Sequence, residues 1–281
     1  MRAIRALPVV LLITACTPPD PAPEGLSELL GFAWSHYSFE VEGNEVSLAD
    51  AGRNFEAWFS EDVESLEGYD TEVGFQASLT EDSDRLPDEA LTDLDPAPVH
   101  AQGENAVGVV VALHTNCTLA DMDSQYTNPD QSSLHPDNYL SYARSEEFGY
   151  TCFLDGSCDE FGWISTIRNE LILGAESEFL LHNQIRRISA EALDGTQVEA
   201  RLGRTWMSEE AVIDPDTAGR WFQNYQLEYL LERPDGLLHI YPQWVEVEVG
   251  ELNTEGGVFL NSYVEGLHEY ILEVESHCEG R

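Results

Sequence analysis

The chain has 281 residues, with 53 Asp and Glu against 13 basic residues, all of them arginine, and a formal net charge of −40. A surface of that sign repels nucleic acid and anionic membranes, which sets aside function on DNA or RNA. An acidic surface without lysine suits a salty medium, where self-repulsion is screened.

In chain order, Arg2 and Arg5 precede an apolar stretch over residues 7–13, too short to cross a bilayer. Ile13-Thr14-Ala15-Cys16 follows. A charged start, a short apolar region and a small-residue pair before cysteine resemble the lipobox of bacterial lipoproteins. That resemblance implies removal of residues 1–15 as a signal peptide and lipidation of Cys16, with acyl chains enough for stable anchoring. Thr17 stands where Asp is the usual inner-membrane retention signal, so the resemblance points to the outer membrane. The alternative is a secretory signal with an incidental cysteine. No second long apolar run follows, so the protein is expected to be exported and held to the envelope by lipid.

Residues 16–25 are proline-rich and read as an extended tether. Residues 26–79 read as a small N-terminal subdomain or wrap, with strand character over 32–42 and a turn at Gly43-Asn44. Phe55, Trp58, Phe59, Val63 and Leu66 share one helical face there. Residues 80–104, rich in Asp, Glu and Pro, read as a solvated acidic linker. The main domain, 105–281, opens with a β-branched strand at 107–113. Helical spacing follows over 119–126 and 137–147, split by Pro129 and Pro136. Five strand-like segments come next, at 163–173, 178–188, 196–206, 220–231 and 237–249. They are separated by Gly174, Asp194-Gly195, Asp214-Pro215 and Pro234-Asp235-Gly236. An amphipathic helix over 258–276 closes the chain, with Phe259, Tyr263, Leu267, Tyr270, Ile271 and Val274 on one face.

With Cys16 assigned to lipid, Cys117, Cys152, Cys158 and Cys278 remain. An even number in an oxidising compartment reads as two disulfides, for which three connectivities are possible. The favoured one closes a small loop with Cys152–Cys158 and ties the last helix to the core with Cys117–Cys278. Zinc held by His114 and Cys117 is the alternative, without a CxxC partner.

The order strand, two short helices, antiparallel strands and one long C-terminal helix resembles the helix-grip fold of START-like proteins, the polyketide-cyclase/SRPBCC group. The resemblance covers about residues 106–278 and lies in element order. It implies an α+β fold, a curved antiparallel sheet wrapped around the C-terminal helix, here with an N-terminal α/β extension. It also implies an apolar cavity between sheet and helix, in a group most of whose members bind hydrophobic molecules and some of which are cyclases or hydroxylase components. Six strands stand where seven are usual, and the N-terminal 80 residues have no counterpart in the group.

Period-two alternation assigns strand faces. Taking the more apolar face as inward turns Trp221, Gln223, Tyr225, Leu227, Tyr229 and Leu231 toward the helix, and Asn224, Gln226 and Glu228 away. The same test turns in Leu237, His239, Tyr241, Gln243, Val245 and Val247, and, on the preceding strand, Val198, Ala200, Leu202, Arg204 and Trp206. The candidate ligand-binding set is therefore Arg204, Gln223, Tyr225, Tyr229, His239, Tyr241 and Gln243. Several polar groups on one inward face imply mutual hydrogen bonding or a ligand cavity.

No metal or cofactor is expected. The stretch 214–219 lacks two ligands of a calcium loop. Asp121, Asp123, Asn128 and Asp130 are loosely spaced, and His268-Glu269 lacks a second histidine. No catalytic motif is present, neither Gly-x-Ser-x-Gly nor a phosphate loop nor GxGxxG. The expectation is a membrane-anchored lipoprotein that binds an apolar or amphipathic small molecule. A structural or protein-interaction lipoprotein with a filled core is the alternative.

Overall fold

A computed structural model describes residues 21–38, 41, 43–64, 75–78, 86, 88–98, 106–136, 138–170, 176–214, 219–249 and 257–278. Cys16 and its signal, the first part of the tether, Leu66, Gly174 and the turn at 215–218 lie outside the described residues.

Nine antiparallel strands form one sheet among the described residues. They are β1 (Phe75–Ser78), β2 (Ala106–Thr115), β3 (Ser141–Phe148), β4 (Glu160–Glu170), β5 (Glu176–Glu191), β6 (Gln197–Met207), β7 (Ala211–Asp214), β8 (Gly219–Arg233) and β9 (Gly236–Val249). Their order is β1-β2-β9-β8-β6-β5-β4-β3, with short β7 bridging β5 and β8. Six helices accompany them: α1 (Leu26–Ser35), α2 (Asn44–Trp58), α3 (Leu119–Thr127), α4 (Gln131–Leu134), α5 (Tyr150–Asp155) and α6 (Gly257–Ser276). The α+β class, the antiparallel sheet and the long terminal helix are as the element order suggests.

Three strands were missing from the sequence-based count, and β3 replaces an expected helix over 137–147. At the sheet edge its more buried positions hold Tyr142 and Arg144 and its outer ones Ser141, Ala143 and Ser145, so burial alternates but apolar character does not. Of the strand expected at 32–42, residues 32–35 are instead the end of α1, and 39, 40 and 42 lie outside the described residues. Leu29, Leu30, Ala33 and Trp34 recur at helical spacing and are fully buried. The solvated linker expected at 80–104 is, where described, a packed segment. Leu86, Ala90, Leu91 and Leu94 are buried, and the Trp34 and Trp206 indoles donate to the carbonyls of Ala90 and Pro96, each at 2.9 Å. The charge of that segment hid its few apolar anchors.

Helices cover both faces of the sheet. On one, α1, α2 and the π-helical turn Phe59–Val63 bury the largest core, where Trp34, Leu48, Phe55 and Phe59 meet Ala200, Leu202, Trp206, Tyr225, Leu227, Tyr229, Leu231 and Trp244. Gly52 lets α2 lie close, because a Cβ there would come within 2.7 Å of the Ala190 Cβ. On the other face, α6 packs Val264, Leu267 and Ile271 onto Val109, Val111, Leu113 and Tyr241. The β8–β9 turn needs glycine at Gly236, where a Cβ would lie 1.9 Å from the Thr115 carbonyl oxygen.

Both disulfides of the favoured connectivity are present, Cys117–Cys278 and Cys152–Cys158, and the first holds the end of α6 against the α3 entry. The loosely spaced acids have structural work. Thr118 and Asp121 form a capping box at the start of α3. Asp123 accepts from Arg201 at 2.8 and 2.9 Å and from Arg187 at 3.1 Å, pinning α3 to the sheet. Removing one member of a largely buried charge network of this kind costs about 3–5 kcal/mol, because the remaining charges lose their partner. Among the described residues no group of three or more potential metal ligands exists, and no helix is long and apolar enough to cross a membrane.

Candidate functional site

A cavity of about 340 Å³ opens between the sheet and α6. That volume falls at the lower end of the range for small-molecule sites, about 300–1,000 Å³. Its chemistry follows from one irregularity in β8. Trp221 pairs with Val247, but Gln223 pairs with Glu246, so two steps on β8 match one on β9. A bulge of this kind exchanges the faces of every later residue. Trp221 therefore packs toward α6 against Phe179 and Tyr263, while beyond the bulge Asn224, Gln226 and Glu228 line the cavity.

The candidate residues divide accordingly. Tyr241 and Gln243 line the cavity, and His239 lies behind Glu228, with its Nε2 2.8 Å from Glu228 Oε1. Although that close, the imidazole is off the hydrogen-bonding direction. Tyr225 and Tyr229 belong instead to the core beneath α1 and α2, and Gln223 points to that face in register with Glu246. Arg204 borders the cavity wall, but its guanidinium turns to the N-terminal side. It donates there to Asp93 at 3.0 Å and Gln184 at 2.9 Å and lies 4.2 Å over the Tyr37 ring. The inward assignments of Gln223, Tyr225, Tyr229 and Arg204, and of Ala200, Leu202 and Trp206, are thus corrected. Two causes act: the bulge reverses β8, and the more apolar face belongs to the N-terminal helices rather than to α6.

The cavity floor is a hydrogen-bonded chain. The Tyr263 hydroxyl donates to Gln243 Oε1, and Gln243 Nε2 donates to the Tyr241 hydroxyl at 3.3 Å. That hydroxyl donates to Gln226 Oε1 at 2.7 Å, and Gln226 Nε2 to Asn224 Oδ1 at 3.1 Å. On the neighbouring wall, Thr205 donates to Asn183 Oδ1 and Asn183 Nδ2 to Ser165 Oγ, both at 3.0 Å. Mutual pairing removes most of the cost of placing these amides and hydroxyls away from water. The sequence reading missed Asn224, Gln226, Glu228, Asn183 and Thr205. The only local hint was the adjacent bulky pair Trp221-Phe222, where a regular strand would alternate.

Aromatic rings complete the lining, among them Tyr126, Tyr139, Tyr142, Trp163 and Tyr270. Burial raises the pKa of the Tyr126, Tyr241 and Tyr270 phenols well above the usual range, and the Glu228 carboxylate adds to the effect on each. All three stay neutral at ordinary pH.

Beside the cavity, His135 is 1% exposed. Its Nδ1 contacts Glu273 at 3.1 Å, and Asn138 Nδ2 donates to the same carboxylate oxygen at 2.6 Å. The ring also meets Tyr139 and Tyr270 of the cavity wall.

No family profile and no curated protein matches the chain. Among solved structures, the chain is similar to a START superfamily protein from Mycobacterium smegmatis, at 13% identity over 61% of this chain and 97% of that one, with a TM-score of 0.39. It is similar also to a STAR-related lipid transfer protein from Xanthomonas axonopodis, at 15% identity over 63% and 96%, TM-score 0.39. A third match is the lipid transfer and protein localization domain of human StarD13, at 6% identity over 63% and 78%, TM-score 0.36. At such identities the likeness concerns fold alone, and the cavity has to carry any functional reading.

The histidine yields a pH dependence. Burial lowers the His135 pKa most strongly and nearby His277 adds to this, while Glu273 and Glu228 oppose it. The folded imidazole therefore binds a proton less readily than the unfolded one, whose pKa is about 6.5. Stability is full above that value and is lost as pH falls below it toward the folded pKa. Unfolding free energy measured from about pH 7.5 to 5.5 should decline in the wild type and decline less in His135→Gln. Parallel curves would show that His135 does not contribute.

Proposed function

We propose that this protein binds an apolar or amphipathic small molecule in the cavity between its sheet and α6, and that it does so at the bacterial envelope, held by lipid on Cys16. The observation that carries the binding reading is the cavity itself, ringed by aromatic side chains and floored by amides and hydroxyls already paired with one another. A packed interior needs no such floor. Self-paired polar groups beside open volume give a ligand both apolar contact and a few oriented donors and acceptors. Support for the anchor comes from Ile13-Thr14-Ala15-Cys16 and Thr17, which favour lipidation and the outer membrane. Pairing of the other four cysteines in disulfides fits an oxidising compartment.

Two substitutions separate a cavity from a core. Gly203 lines the cavity, and a Cβ there would make ordinary contact with the Glu228 Cβ at 3.4 Å. Gly203→Leu should fill space and weaken saturable binding of an apolar fluorescent probe by about tenfold or more, with little loss of stability. Ala200 is fully buried beneath the N-terminal helices. Ala200→Trp should cost about 1–3 kcal/mol through overpacking and leave probe affinity in the folded fraction unchanged. If the wild type binds no probe, the cavity is not a ligand site, and a protein-interaction role replaces this one.

The anchor is tested separately. Cys16→Ser should move the protein out of the membrane fraction and abolish its uptake of labelled fatty acid. Unchanged partitioning and labelling would remove the lipoprotein assignment.

A further inference from the structure

Few charged residues line the cavity. Among the described residues that line it, the acids are Glu228 and Glu170 and the only base is Arg204, whose guanidinium is engaged on the opposite side of the sheet with Asp93 and Gln184. Glu170 lies at an exposed position, whereas the Glu228 side chain is only 16% exposed. Its surroundings are aromatic. Tyr126, Tyr139, Tyr241 and Tyr270 all feel its charge. The Tyr126 phenol interacts with the Glu228 carboxylate by charge and side-chain hydrogen bonding, and His239 Nε2, outside the cavity lining, lies 2.8 Å from Glu228 Oε1.

We propose that the molecule seated in this cavity carries a cationic nitrogen, a protonated or quaternary amine, placed against Glu228 and the faces of the surrounding tyrosine rings. The inference rests on the cavity being a ligand site and adds which class of ligand it selects. A carboxylate in partly desolvated surroundings attracts a cation far more strongly than it would in water and repels an anion to the same degree. Neutral aromatic rings add attraction for an ammonium group through their negative faces. The paired amides and hydroxyls of the floor accept a polar but uncharged part of the same ligand, and Trp163 and Trp221 offer apolar contact to the rest. An anionic head group, such as a fatty-acid carboxylate or a bare phosphate, would meet the Glu228 carboxylate, while the nearby Arg144 guanidinium is engaged with the Trp163 ring and the Tyr126 carbonyl.

The test uses three probes of one shape and different charge: phenylbutylamine, phenylbutanol and phenylbutyrate. Each is titrated into the folded protein at neutral pH in about 0.5 M salt, so that the acidic surface is screened while the interior is not. Quenching of tryptophan fluorescence reports occupancy. The amine should bind about tenfold or more tighter than the alcohol, and the carboxylate weakest. Glu228→Gln should remove the amine's advantage and leave the affinity for the alcohol as it was. Glu170→Gln should preserve the ranking. Equal binding of amine and alcohol to the wild type overturns the inference while the cavity stands as a ligand site. Persistence of the advantage in Glu228→Gln overturns it too, because the preference would then come from the surface. If none of the three binds, the ligand-site reading fails and takes this inference with it. Should Glu228→Gln not fold, the wild-type ranking in high salt decides alone, and loss of the amine's advantage there counts against the proposal.

Discussion

One extra residue in β8, between Trp221 and Gln223, determines what the cavity is made of. Without it, Gln223, Tyr225, Leu227 and Tyr229 would continue the face begun by Trp221 and meet α6. With it, those side chains turn to the N-terminal helices, and Asn224, Gln226 and Glu228 take their place opposite α6. The strand before it is consistent with this arrangement. On β6, Ala200, Leu202 and Trp206 lie with the outer core, whereas Gly203 and Thr205 line the cavity. Around the cavity these two strands thus present mainly apolar side chains to α1 and α2 and mainly polar ones to the cavity.

That division also distributes stability. The core under α1 and α2 contains Trp34, Phe55, Phe59, Trp206, Tyr225 and Tyr229, all almost fully removed from water. Burial of a large apolar side chain contributes about 1.5–3 kcal/mol before conformational entropy is counted. The cavity lining contributes less, because paired amides and hydroxyls add only modest net stability and open volume forgoes packing. The core beneath the N-terminal helices, with the apolar clusters around the cavity, supplies the burial that lets this volume stay open. The C-terminal end of α6 is then fixed by specific bonds. Cys278 is joined to Cys117, Glu273 receives Asn138, and the Glu275 carboxylate accepts from the Asn116 amide at 3.0 Å.

Much of the frame was legible from residues alone. A β-branched run located β2, and strand-like segments bounded by turn residues located β4, β5, β6, β8 and β9 to within a few residues. The spacing of Tyr263, Leu267, Tyr270, Ile271 and Val274 located α6, and cysteine parity led to both disulfides. What stayed hidden was nonlocal. On the edge strand β3 the more buried side carries both Tyr142 and Arg144, so apolar character does not follow its alternation. A short acidic segment such as 88–98 docks through a few side chains and two indole hydrogen bonds that composition does not register. Face assignment failed on β6 and β8 but held on β9, where the polar His239, Tyr241 and Gln243 alternate with Leu238, Ile240 and Trp244 of the other core. The rule that the more apolar face meets the partner helix presumes a single partner, and this sheet has two.

The central claim is that the cavity beneath α6, rather than the core beneath α1 and α2, is the proposed ligand site. The most direct measurement is a titration followed by NMR, with an amphipathic amine added to labelled protein and side-chain N–H signals resolved by residue. The account predicts that the amide signals of Asn183, Asn224, Gln226 and Gln243 shift saturably, while the indole signals of Trp34 and Trp206, bonded to Ala90 and Pro96 on the far face, stay in place. Shifts confined to Trp34 and Trp206, with the four amides unmoved, would contradict it.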